Sequence, residues 1–175
     1  MARARLNLRA FQQELSTRLA AKTAAQVEQS RLGIQCAGGR WLIRLADAGE
    51  VIAIPTVASV PMTRPWYLGI ANIRGNLYGV IDFGAFLGDP TEDPPPPASA
   101  PRLVLFGPRV GELRAGLVVH RVLGLRNLSD LTRNDPPDGA ASWYGSQWTD
   151  RDGGTWQEID LALLAQDPAF LQVGL

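Results

Sequence analysis

The chain holds one histidine, His120, and one cysteine, Cys36. Two such residues cannot build a structural zinc site, which takes four nitrogen or sulfur ligands. A Cys–His nucleophile would need the pair in contact and a third group to orient the base. The plainer expectation is that Cys36 fills core space and His120 ends a strand. Asp150, Asp152, Glu158 and Asp160 cluster in sequence, but D-R-D-G-G-T lacks the spaced oxygen donors of a calcium loop. A hairpin turn rich in Asp and Gly accounts for that cluster. The chain has no phosphate-cradling P-loop, no G-x-G-x-x-G after a strand and no G-x-S-x-G elbow. No enzyme, metal or other cofactor is expected. The charges that stand out are Arg74 in A-N-I-R-G and Asp82 in V-I-D-F, each in an apolar frame where an idle charge is costly.

That frame is the stretch from Pro65 to Gly88. Pro65 presets one torsion and opens a turn. Trp66, Tyr67, Leu68 and Ile70 supply a large apolar payload. Residues 71–74 read as a short strand, Gly75-Asn76 as a tight reversal that tolerates positive φ, and residues 77–83 as a second strand ending at Gly84. Arg74 follows that strand and can make bidentate hydrogen bonds to a carboxylate or to carbonyls. Two roles fit it: an anchor for a partner protein, or an internal ion pair with Asp82 or Glu50.

The elements that must hold this stretch come from a chain of 175 residues, 46% hydrophobic and 19% charged, which fits one compact domain with an appendage. Net charge is zero, with +4 in residues 1–31 and −4 in the remainder. An acidic body opposes phosphate attraction, so nucleic acid is not an expected partner. One cysteine excludes an internal disulfide. No apolar run reaches about 18 residues and the N-terminus lacks a signal-peptide core, so a cytoplasmic protein without membrane insertion is expected.

Over residues 5–29, Leu8, Phe11, Leu15 and Leu19 share one helical face. Such a helix docks on its own domain, on a partner, or on a membrane surface. From Arg31 the period becomes two. Leu32, Ile34 and Cys36, then Trp41, Ile43 and Leu45, flank a Gly38-Gly39 hairpin turn, and a third strand runs over 50–54. Residues 55–65, with three prolines, form an irregular loop, and residues 88–101 a proline-rich one. Strands are expected over 102–106, 113–120 and 122–128, a loop over 130–141, and a last hairpin over 143–148 and 155–159. Asp160 caps a short helix over 161–166. Nine or ten short strands with glycine turns argue for a mainly β barrel or sandwich.

Pro61, Pro65-Trp66, Gly69-Ile70, Asn72-Ile73-Arg74-Gly75 and Val80-Ile81-Asp82-Phe83 together resemble the signature segment of the CheW-like domain. That domain occurs in chemotaxis coupling proteins and in the regulatory domain of the chemotaxis histidine kinase CheA. Asp47 to Val51 and Asp160 to Leu164 resemble further family segments, although the apolar residue that usually leads the first is missing. Gly79 stands where the family commonly has proline, which implies a looser second strand, and His120 where it often has an acidic residue. The resemblance implies two intertwined five-stranded SH3-like barrels sharing an apolar core. It divides the chain into a helical extension (1–30) and a CheW-like domain (31–175). Within the domain it sets a first barrel near 31–88, the proline loop, a second barrel near 102–160 and a short helix within 161–170.

The resemblance further implies a non-catalytic adaptor between the cytoplasmic tip of methyl-accepting chemoreceptors and the regulatory domain of a CheA-type kinase, recruited to receptor arrays. Arg74 is the expected partner anchor, with Glu50, Val51, Ile52, Asn72 and Gly75 as weaker partner-binding residues. Asp82 and Gly69 are expected in structural roles, as an ion pair or a turn. The N-terminal helix and proline loop resemble the coupling proteins of the twitching-motility (pilus) type. The alternative from the residues alone is a small-barrel module with another partner, such as nucleic acid.

Overall fold

The computed structural model describes residues 24–88 and 100–175. The apolar stripe from Leu8 to Leu19 and the proline-rich run 89–99 lie outside the described residues. Residues 24–29 are helical and exposed at every position.

Where the apolar period becomes two, the backbone becomes strand. β1 (Ser30–Cys36) and β2 (Gly39–Arg44) form an antiparallel hairpin that sets Ile34 opposite Trp41 and Leu32 opposite Ile43. Its two-residue turn is Ala37-Gly38, both at positive φ, rather than the expected Gly38-Gly39. Gly39 belongs to β2. A β-carbon there would lie 3.2 Å from the Trp41 indole nitrogen, which donates to the Cys36 carbonyl at 3.0 Å. The chain continues through β3 (Ala48–Ala53), β4 (Tyr67–Ile73), β5 (Asn76–Asp82), β6 (Arg102–Phe106) and β7 (Ala115–Val119). It ends with β8 (Arg121–Asn127), β9 (Thr132–Asn134), β10 (Tyr144–Thr149) and β11 (Thr155–Ile159), followed by short helices Leu161–Leu164 and Pro168–Leu171.

These strands form two sheets. One has six strands in the order β8-β1-β2-β11-β10-β9, the other five in the order β3-β6-β7-β5-β4. The mainly β class agrees with expectation, with one strand more in the first sheet. The sixth strand is β9, Thr-Arg-Asn, which is polar and fully exposed and so carries no apolar alternation to read. Strands are exchanged between the stretches 31–88 and 102–160. The first hairpin pairs with strands from the far end of the chain, and β6 and β7 pair with β3 and β5.

Three apolar clusters follow from this exchange. Ala71, Ile73, Val80, Leu103 and Leu105 fill the five-stranded sheet, joined by Ile52 and Tyr78. Leu42, Trp148 and Trp156, with Leu123, Leu128 and Leu131, fill the six-stranded one. Between the sheets lies the largest cluster, where Ile34, Cys36 and Ile43 of one sheet meet Ile81, Phe106, Leu117 and Val119 of the other. Phe83 is fully buried there, edge-on to Trp41 at 5.5 Å and to Trp143 at 6.3 Å. It opens the short helix Phe83–Phe86, whose N-cap is Asp82, with its carboxylate accepting from the Ala85 N–H at 3.1 Å. Asp82 therefore satisfies an orphan helix donor. Asp160 caps Leu161–Leu164 in the same way, accepting from Leu163 at 3.0 Å.

β5 is not loosened at Gly79. The Gly79 N–H donates to the Arg114 carbonyl at 2.9 Å, a bond that proline could not make, and the Tyr67 ring lies 3.2 Å from where a β-carbon would sit. The strand is paired on both sides, and Val80 and Ile81 are buried.

One buried ion pair joins distant parts of the chain, and a second lies within one turn. Arg31 and Glu158 pair at 2.7 Å, and the other Glu158 oxygen accepts from the Trp148 indole at 3.2 Å. Asp47, beside Arg44 at 3.2 Å, is nearly inaccessible, and burial pushes its carboxyl above the ordinary carboxylate range despite that arginine. The folded state therefore holds the Asp47 proton more tightly than the unfolded chain does. The burial penalty is in full force at neutral pH and disappears as pH falls through the folded value toward the ordinary one of 3.8. Asp47→Asn is accordingly expected to be more stable than wild type at pH 7 in urea denaturation, with the difference closing near pH 4.

Candidate docking surface

The β4–β5 hairpin turns on Arg74-Gly75, one residue earlier than expected, with φ of 52° and 84°. Positive φ at both central residues gives a reversal whose twist matches the flanking strands. Glycine adopts it freely; arginine does so at a cost in backbone strain. The Asn72 side chain offsets part of that cost, its Oδ1 accepting from the Gly75 N–H at 2.9 Å. Asn72 and Gly75 thus shape the turn that presents Arg74.

The turn carries Arg74 out of the apolar frame read in the sequence, leaving its side chain 75% exposed. Its Nη2 donates to Glu50 Oε1 at 2.7 Å, while the Glu50 side chain is itself 43% exposed. Asp82 is engaged elsewhere, at the helix cap. Glu50 stands on β3 and Arg74 at the tip of the β4 hairpin, the two opposite edges of the five-stranded sheet. Their contact shows that the sheet rolls until its edges approach, with Ile52, Ala71 and Ile73 packed in the cluster between them. No backbone ladder joins β3 to β4, so the seam is bridged by side chains.

Of the other residues singled out from sequence, Val51 is exposed on β3, whose outer edge is unpaired in the sheet. Ile52 is partly buried and packs against the apolar cluster of the sheet. Gly69 sits at a bulge in β4 with φ of 135°, and a β-carbon there would run into the Ala58 carbonyl. Ala58 and Ile70 exchange backbone bonds of 2.8 and 2.9 Å, which pin the 55–65 loop against β4. One residue was missed. Leu77, directly across from Asn72, is 61% exposed beside the arginine turn. Its place as the second strand residue after a reversal was the available signal.

The surface thus offers a guanidinium held on one side by a carboxylate, with apolar side chains (Val51, Leu77) beside it. An exposed pair of this kind contributes about 0–1 kcal/mol to folding. A guanidinium has five N–H donors, so one bond to Glu50 leaves donors for a second acceptor. The arrangement fits recognition of another polypeptide and contains no nucleophile–base pair. Cys36 lies fully buried in the shared core, and His120 lies between β7 and β8 with its backbone N–H donating to the Gln35 carbonyl. Among the described residues, no group of three His, Cys, Asp or Glu side chains could hold a metal ion. No helix among them is long and apolar enough to cross a membrane.

Comparison with known proteins agrees with the residue-level resemblance. The CheW-like domain family model matches residues 31–169. Protein PilI of Pseudomonas aeruginosa is 29% identical over 164 residues, covering 90% of this chain and 89% of that protein. The crystal structure of the scaffolding protein TtCheW from Thermoanaerobacter tengcongensis superposes with a TM-score of 0.65 at 18% identity, over 81% of this chain and 95% of that one. That likeness speaks for the fold, and the family match for membership. With its signature segment built into the hairpin that presents Arg74, the chain belongs to the CheW-like domain family.

Proposed function

We propose that this protein is a non-catalytic adaptor that couples the cytoplasmic tips of chemoreceptors to the regulatory domain of a CheA-type histidine kinase. The array would lie at the cytoplasmic face of the membrane. The likeness to PilI along nearly the whole chain favours an array of the twitching-motility type over the flagellar one. The observation that carries the reading is the exposed Arg74–Glu50 pair. Its turn is strained and its side chains are solvent-facing, an expensive arrangement for an ion pair worth little to the fold. Strain held at an exposed arginine fits a residue kept for a partner.

Arg74→Ala is expected to weaken binding to one or both partners by about 10- to 100-fold, the usual range for a charged anchor. Its unfolding free energy should change by no more than about 1 kcal/mol. Titration calorimetry against the kinase regulatory domain and a receptor cytoplasmic fragment reads the first, and urea denaturation the second. The swapped pair Arg74→Glu with Glu50→Arg separates the two roles. It restores the internal ion pair but presents the wrong charge arrangement, so it should bind as poorly as Arg74→Ala. Recovery of wild-type affinity by the swap would make the pair structural.

A further inference from the structure

A second cluster of arginines lies in the six-stranded sheet, away from the seam that carries Arg74. Trp156 of β11 is only 2% exposed, with two guanidinium groups over its indole, Arg40 at 5.1 Å and Arg126 at 5.2 Å from the ring centroid. Arg40 is fixed. It donates to Asp150 at 3.1 Å and packs against Gly154, where any β-carbon would collide with its guanidinium. Asp150 is saturated, since it also accepts from the Trp156 indole at 3.0 Å and from the N–H groups of Asp152 and Gly154. These bonds, the indole's first, hold its carboxyl below the ordinary range, so it stays ionised and locked to Arg40.

Arg126 is different. It rests on the same ring, yet no carboxylate lies within ion-pair distance of it among the described residues. It lines a cleft of about 480 Å³, with Leu125 and Leu131 as apolar wall and Arg151 at the rim. Arg151 is paired with Asp130 at 2.9 Å, and the Asp152 carboxylate also borders the cleft. The volume is that of a small-molecule site, and the Trp156 ring attracts the Arg126 guanidinium to its wall.

We propose that this cleft binds the oxyanion group of a small molecule, a phosphate or a carboxylate, with Arg126 making the charge-assisted bonds and Arg40 and Trp156 holding it in place. The balance of charge around the cleft favours one anionic group over a polyanion. The three arginines face three aspartates, so the lining is neutral overall; Asp150 and Asp130 are paired with Arg40 and Arg151, which leaves Arg126 as the arginine open to a single small anion, and the Asp152 carboxylate opposes any larger charge. The proposal is independent of the adaptor reading, because none of these residues takes part in the Arg74–Glu50 seam.

The test is titration of the full-length protein with sodium phosphate and, separately, sodium acetate at constant ionic strength. Calorimetry and the backbone amide resonances of residues 125–131 and 150–156 serve as readouts. Saturable binding of either probe, confined to those amides, is the expected result, and the tighter probe tells phosphate from carboxylate chemistry. Arg126→Gln should weaken it at least about tenfold without lowering the melting temperature, while Arg64→Gln, an exposed arginine elsewhere, should leave it unchanged. Shifts that do not saturate, that spread over the whole chain, or that survive unchanged in Arg126→Gln would overturn the proposal.

Discussion

Gly69→Ala is expected to destabilise the protein by about 3–5 kcal/mol, the sum of a backbone region open only to glycine and of overpacking against a rigid carbonyl. With φ at 135° and the Ala58 carbonyl on the spot a β-carbon needs, relief requires moving backbone. The movement breaks the Ala58–Ile70 exchange and frees the 55–65 loop from β4. Gly75→Ala is the control. Its φ is also positive, at 84°, but nothing lies within 4 Å of an added β-carbon, so only about 1 kcal/mol is at stake. Urea denaturation of both variants separates the effects. Equal, small losses would mean that the close approach at Gly69 does not constrain the fold.

Phe83→Ala should cost about 3–5 kcal/mol as well, by a different route. Phe83 is fully buried at the junction of the two sheets and its ring meets Trp41, Phe86 and Trp143. Removing it leaves a cavity lined by aromatic side chains that cannot collapse inward, because each is held by other rings in the same cluster. A single domain is stable by only about 5–15 kcal/mol, so the loss is a large fraction of the total. Phe83→Leu keeps most of the volume and should cost no more than about 1.5 kcal/mol. A loss below about 1 kcal/mol for the alanine variant would show that the shared core does not hold the sheets together.

Both residues lie in the segment that was most legible in the sequence. The hairpin around Arg74, the apolar face of β5 and the cap at Asp160 follow from local rules: period-two apolar residues, turn residues and side-chain oxygens near helix starts. The cap at Asp82 was not legible, because Phe83 continues the apolar run of the strand and hides the start of the helix Phe83–Phe86. Local rules placed two turns one residue late, because they credited Gly-Gly and Gly-Asn with turns that the chain makes at Ala37-Gly38 and Arg74-Gly75. In both cases a side chain decided the register, Trp41 reaching over Gly39 in one and Asn72 capping Gly75 in the other. The sheet order was not legible, since the parallel pairings of β2 with β11 and β5 with β7 join residues far apart in sequence. The bridge from Glu50 to Arg74 was one of the two pairings the sequence offered, and the structure holds it; the contacts of Arg40 and Arg126 with Trp156 were not legible, because they depend on how strands distant in sequence come together. β9 escaped notice because an exposed polar tripeptide has no pattern.

The proposed adaptor role requires this chain to bridge two other proteins through surfaces that include Arg74. Size-exclusion chromatography of the protein mixed with the kinase regulatory domain and a receptor cytoplasmic fragment from the same source tests it most directly. The expected result is a complex containing all three, formed only when this protein is present and lost with Arg74→Ala while that variant remains folded by circular dichroism. A wild-type protein that elutes alone, bound to neither component, would contradict the claim.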